Sequence, residues 1–193
     1  MRPFLLGVFV ALAAVAIVAF GIIQTGAVPA RQDIRPGKLE IWMAKTALRA
    51  TIEREAPKPP YPYGPPSEQD YVAAAVRYVQ NCSVCHGTAH GTPTAIARGF
   101  AVRAPQFAKH GVEDDPEGET YWKIAHGIRM TAMPSFGATL DQRAIWQLAY
   151  FMKHMDALPA RADAIWEDPK LAPPPTALPA PSSPAGAHGS TAA

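Results

Sequence analysis

Cysteine is scarce in this chain: two among 193 residues, Cys82 and Cys85. A framework of several disulfides is therefore excluded, and no second ligand pair stands at zinc-finger spacing. An excess of one charge is lacking too. With 18 Lys and Arg against 16 Asp and Glu, there is no basic field of the kind nucleic acid requires, so nucleic acid is not an expected partner. Between the helical segments described below, no stretch alternates apolar and polar residues as a half-buried strand would. Proline, by contrast, is plentiful, with 21 residues concentrated mostly in two stretches that cannot be packed helix or strand. The folded part is small.

What the chain does have begins with "FLLGVFVALAAVAIVAFGII", residues 4–23, twenty residues without a charge. As a helix rising about 1.5 Å per residue this run is roughly 30 Å long, the thickness of a bilayer core. Residues 1–30 are read as a transmembrane anchor or uncleaved signal-like segment. The competing reading is a cleaved signal peptide with "VPA" at 28–30 as its exit. A signal core is only about 7–15 residues long, so the full run fits an anchor better. Either reading exports the remainder. The flanking charge points the other way, since Arg2 is the only basic residue before the span and Arg31, Arg35 and Lys38 follow it. That pattern favours a cytoplasmic remainder, by a rule that weakens when the remainder is a long domain.

Residues 31–56 carry a juxtamembrane amphipathic helix. In "KLEIWMAKTALRATIEREA", Ile41, Leu48 and Ile52 share a helical stripe, with Trp42 and Met43 beside them. Residues 31–58 hold seven basic and four acidic residues, against eight basic and nine acidic in 67–158, so the basic excess lies next to the span. Two placements are open for this helix, the lipid headgroup layer and the surface of the main domain. Residues 57–66 are a Pro-rich linker: "APKPPYPYGPP" has six prolines in eleven residues and is expected to run as an extended, semi-rigid spacer. Residues 160–193 are read as a disordered Pro/Ala-rich tail, ending in "LAPPPTALPAPSSPAGAHGSTAA", in which His188 is inert.

Residues 67–159 are the candidate domain, mainly α. Ser67 caps "EQDYVAAAVRYVQNC", with Asp70 in the place a capping box gives to Glu or Gln, and Val72, Ala75, Val76 and Val79 form one apolar face. This helix delivers Cys82. Thr139 and Gln142 form a capping box before "DQRAIWQLAYFMKHMD", in which Ile145, Leu148, Ala149 and Met152 share a face. A domain of about ninety residues has a modest core, which a large bound cofactor at its centre would help to complete.

The chemistry sits in "QNCSVCHGTAHG". A redox-active C-x-x-C would stand at a helix start inside a βαβ pattern, and no such strands are visible. A zinc site needs four ligands, and only His90 follows nearby. A plain disulfide gives His86 no role. Covalent haem uses all three residues: thioether bonds from Cys82 and Cys85 to the vinyl groups, and the imidazole of His86 on the iron. The sixth iron position then needs a candidate among Met130, Met133, Met152, Met155, His110, His126 and His154. Met133 precedes Pro134, which biases it toward extended backbone from which a thioether can project. Plain core packing is the other role open to it.

On "CSVCHG", "APQF", "AMPSFG" and the closing "IWQLAYFMKHM", residues 67–159 resemble the class I c-type cytochromes, specifically their membrane-anchored, single-haem members. The anchor and tail lie outside the family core. The resemblance implies one covalent haem c, Met133 as the second axial ligand in the family's Met-Pro loop, and the carbonyl of Pro105 as acceptor for the outer N–H of His86. It implies a single-pass protein of the bacterial cytoplasmic membrane with its haem domain in the periplasm. Methionine opposite histidine raises the reduction potential and closes the iron to oxygen or peroxide, which suits electron transfer rather than catalysis. The expected function is therefore a one-electron carrier, not an enzyme, tethered by its N-terminal helix and shuttling between a redox donor and acceptor. The alternatives are a cytochrome subunit of a larger respiratory or dehydrogenase complex, and a haem sensor with accessible iron. Tyr121, Trp122 and Trp146 are expected around the porphyrin, and Arg129 near a propionate. "EDDPEGE", residues 113–119, is either a docking patch or a solvated loop.

Overall fold

The computed structural model describes residues 2–27, 30–58, 61–109 and 111–174. The chain divides into two units, residues 1–35 and 36–193. The first holds α1 (Arg2–Gln24), in which no residue is buried and the mean hydropathy reaches 2.9. Among the described residues it is the helix long and apolar enough to cross a membrane, and its composition fits a transmembrane segment.

The second unit is helical throughout its described residues. It contains α2 (Lys38–Glu55), α3 (Glu68–Asn81), α4 (Ser83–His86), α5 (Ala95–Arg98), α6 (Glu117–His126), α7 (Gln142–Lys153) and α8 (Ala160–Glu167), followed by a 3₁₀ turn at Pro169–Leu171. At the start of α3, Ser67 Oγ accepts from Asp70 N at 3.3 Å and the Asp70 carboxylate accepts from Ser67 N at 2.9 Å, so Asp70 fills the capping-box place despite its short side chain. At the start of α7 the expected cap differs. Asp141 accepts from Ala144 N at 2.7 Å, whereas the Thr139 hydroxyl donates to Phe136 O at 3.3 Å. A carboxylate nearer the helix takes the capping role from the hydroxyl two residues earlier.

The core joins α3, α6, α7 and α8. Tyr78, Phe151, Ile145, Leu148 and Val76 are its largest fully buried side chains. The helix α3 packs against both α7 and α8, and α6 packs against α7. Across the α3/α7 contact, Asp70 accepts from Gln147 at 2.6 Å and from Arg143 at 3.1 Å, while Arg77 donates to Gln147 at 2.8 Å.

Two boundaries read from the sequence move outward. The domain does not stop at Pro159: Ala162, Ile165 and Trp166 of α8 are buried in the core, so residues 160–171, assigned to the tail, belong to the folded unit. "ARADAIWE" carries its own apolar stripe, which the prolines that follow obscure when the region is read by composition. Residues 175–193, the rest of the tail with His188, lie outside the described residues. The linker is likewise partly docked. Tyr61 is buried, with its ring centroid 6.2 Å from that of Trp146 and 5.6 Å from that of Tyr150. Close packing also occurs at Gly118, where an added Cβ would meet the Pro57 carbonyl oxygen at 1.8 Å. Pro59 and Pro60 lie outside the described residues. As for α2, it lies against the domain: Ile52 is buried and Glu55 accepts from the Trp122 indole at 3.3 Å.

Candidate functional site

The helix α3 ends at Cys82, whose own backbone stays right-handed helical, so the chain turns directly into α4. His86 N and Cys85 N both donate to Cys82 O, at 2.9 and 3.0 Å. One helical turn therefore holds both thiols and the imidazole. Gly87 ends it with φ +76°, a left-handed backbone that favours glycine, and the Gln106 side chain lies close against it. The buried Tyr78 hydroxyl donates to Gly87 O at 2.9 Å, fixing that turn from the core side.

The Gln106 amide donates to Cys85 O at 3.0 Å and Ala104 O at 3.1 Å. That cross-link holds the "APQF" segment against α4. Pro105 O then lies 2.9 Å from His86 Nδ1. A carbonyl only accepts, so Nδ1 carries the proton and Nε2 keeps its lone pair. Phe107 stacks on the imidazole, centroids 4.4 Å apart and planes within 5°. Burial lowers the His86 pKa, partly offset by the bond to Pro105, and the ring is neutral at pH 7. Burial, with Cys85 beside it, pushes the Cys82 thiol up to about 12, and burial also raises Cys85. No disulfide joins the two.

Opposite stands the loop after α6. Ile128 N donates to Met133 O at 3.2 Å, Phe136 N to Ile124 O at 3.0 Å and Gly137 N to Ala125 O at 3.0 Å. Gly127 makes this approach feasible: its φ is +67°, and a Cβ would sit 2.6 Å from the Pro134 carbonyl carbon and 2.8 Å from Met133 O. Met133 is half-buried against the core. Met130 has a left-handed backbone, φ +63°, and is 82% exposed.

Between these walls is a cavity of about 380 Å³ whose lining includes Cys82, Cys85, His86, Pro105 and Met133. Its volume is that of a cofactor pocket. The five residues singled out from the sequence thus border one space. Among the described residues no three His, Cys, Asp or Glu side chains gather as a metal-ion cluster, so the two thiols and the imidazole do not form a zinc-like knot. They border a volume wide enough for an extended group.

Residues 69–152 match the family described as "Cytochrome C oxidase, cbb3-type, subunit III". The chain carries a cytochrome c domain. No curated protein and no solved structure matches the chain. Haem c is the group this family implies, and the residues present fit it: an apolar-walled cavity bordered by two thiols, an imidazole with one nitrogen left over, and a thioether.

Other expectations fare differently in the cytochrome c domain. Tyr121, Trp122 and Trp146 do not line the cavity; Tyr121 stacks on Trp146 at 4.5 Å, and Trp122 meets α2 and His126. The helical face carrying them turns toward the linker and α2. Arg129 is exposed and away from the cavity, whereas Arg103 lines it. His90 and His126 are exposed, His154 stacks on Tyr150 at 4.2 Å, and His110 lies outside the described residues. The acidic loop is tied down: Asp115 pairs with Lys123 at 2.7 Å, and Lys153 donates to the carbonyls of Glu113 and Asp115. Sequence reasoning missed Phe107 and Leu48 at the site. Phe107 lay in the quoted "APQF", whereas nothing local marks Leu48, which reaches the cavity from α2.

Proposed function

We propose that the protein is a one-electron carrier with a single haem, attached through Cys82 and Cys85, ligated by His86 and Met133, and tethered to the bacterial cytoplasmic membrane with its haem domain on the periplasmic side. The observation that carries this reading is the juxtaposition, across one apolar cavity, of the C-x-x-C-H turn and the Met133 loop. The bound group supplies one-electron chemistry at its iron. The chain's part is to hold and insulate it. Pro105 orients His86 by accepting a hydrogen bond from its Nδ1–H, and Gln106 keeps Pro105 in place. The bonds joining residues 128–137 to α6 keep the Met133 thioether at the opposite wall. Phe107, Ile124 and Phe136 line the cavity and exclude water, which favours the less charged, reduced state.

In the purified holoprotein, Met133→Ala should abolish the weak far-red sulfur-to-ferric-iron absorption and admit carbon monoxide to the reduced iron. Survival of the band would remove Met133 from the iron. Cys82→Ala with Cys85→Ala should make the haem extractable by acidified acetone, and haem that stays attached would refute the thioether assignment.

A second reading, a subunit of a larger respiratory complex, is favoured by the oxidase-subunit description of the matching family. Extraction in mild detergent separates the two: a free carrier purifies alone, whereas a subunit brings a stoichiometric oxidoreductase with it.

A further inference from the structure

The helix α2 carries two apolar faces. Leu48 and Ile52 form the one that meets the domain. Leu39, Trp42, Met43, Thr46, Ala47 and Ala50 form another, recurring at i, i+3, i+4, i+7, i+8 and i+11, one stripe of a helix with 3.6 residues per turn and on the side opposite Leu48 and Ile52. All six are exposed, Leu39 and Trp42 each by more than 60%.

We propose that this second face of α2 lies in the lipid headgroup layer of the membrane that α1 spans, a second, interfacial contact that orients the domain on the bilayer. Three observations choose lipid over a partner helix or a second copy. The first is chain continuity: residues 25–37 separate α1 from α2, and thirteen residues reach at most about 45 Å even when fully extended, so α2 cannot leave the neighbourhood of the surface. Charge is the second. Lys38 and Arg49 border one edge of the stripe and Arg54 continues its other side, all exposed, against Glu40 and Glu53, an arrangement in which long basic side chains reach headgroups while their stems cover apolar surface. The third is composition: one tryptophan with two large aliphatic side chains over small Thr and Ala makes a thin apolar edge, suited to burial about 5–10 Å into the interface rather than to a helix–helix core. The inference does not depend on the haem assignment, because it uses no residue of the cavity.

The test uses the full-length holoprotein in vesicles of phosphatidylcholine and phosphatidylglycerol, with bromine placed either high or low on the acyl chains. The emission of Trp42 is isolated as the difference between the protein and its Trp42→Phe variant. The expected result is blue-shifted Trp42 emission that is quenched more strongly by the shallow bromines. The Leu39→Glu/Met43→Glu variant should lose most of the shift and of the quenching while the haem spectrum stays unchanged. Trp42 emission that ignores bromine at both depths overturns the proposal. So does a blue shift that grows with the protein-to-lipid ratio without bromine quenching, which marks contact with a second copy.

Discussion

Trp166→Ala tests whether α8 belongs to the fold. The side chain is 8% exposed and packs with Ala162 and Ile165 in the core that contains α3. A tryptophan buries about 150–250 Å², worth about 4–6 kcal/mol at roughly 25 cal/mol per Å². Partial collapse of the cavity and residual burial in the unfolded chain reduce this, and aromatic-to-alanine changes in cores cost about 3–5 kcal/mol. Trp166 stands at the rim rather than the centre, so we take about 3 kcal/mol, a large part of the 5–15 kcal/mol that ordinary domains possess. Denaturant unfolding of the holoprotein, followed by far-ultraviolet circular dichroism and by haem absorbance, measures it. Glu167→Ala, one residue on and exposed, should change stability by less than about 0.5 kcal/mol. A loss below about 1 kcal/mol for Trp166→Ala, with coincident midpoints, would refute the inclusion of α8 and return the domain boundary to Pro159.

Tyr61→Ala should cost about 2–3 kcal/mol by the same measurement, since its ring is buried between the linker and α7; a change under about 0.5 kcal/mol would make the linker a free spacer. Gly127→Ala combines left-handed backbone with a Cβ 2.6 Å from the Pro134 carbonyl carbon, and should weaken the far-red sulfur-to-iron band at denaturant concentrations where the protein is still folded. An unchanged band would mean that the Met133 loop does not need that approach. Asp70 gives a pH prediction: burial raises its pKa, but hydrogen bonds from Ser67, Gln147 and Arg143 outweigh that and hold it at about 2 against an ordinary 3.8. A depressed carboxyl stabilises the fold above its unfolded pKa, so about 1–2 kcal/mol present at pH 5 should disappear as pH falls from about 4 to 2, and Asp70→Asn should flatten that part of the stability profile. An equally steep fall in Asp70→Asn would place the acid sensitivity elsewhere.

What was legible in the sequence followed from strong local rules. The twenty-residue apolar run, the Ser67 cap and the C-x-x-C-H turn each carry their geometry in consecutive residues, and Pro134 biases Met133 toward the non-helical backbone it adopts in the loop after α6. What was not legible depended on partners distant in the chain. The stacking of Phe107 on His86, the Gln106 bridge to Cys85 and the approach of Leu48 each join segments about 20 or more residues apart, and no periodicity encodes such a meeting. The Thr139 box failed for a local reason of its own: two capping residues stand within three positions, and Asp141 lies nearer the helix.

The extension of the fold on both sides of residues 69–152 has one physical source in α3. Ala74 and Ala75 are fully buried beside Val76 and Tyr78, and a helix whose small residues continue around its circumference can be approached by two neighbours at once. The helix α7 covers one side of α3, and α8 covers another that the matched family span alone would leave open to water. On the far side, α6 leaves Trp122 and the Gly118 backbone to be met by Glu55 and Pro57, which lie at the end of α2 and just beyond it. The segments outside the matched span therefore close the apolar faces that its helices leave uncovered, and one of them, α2, reaches the cavity through Leu48.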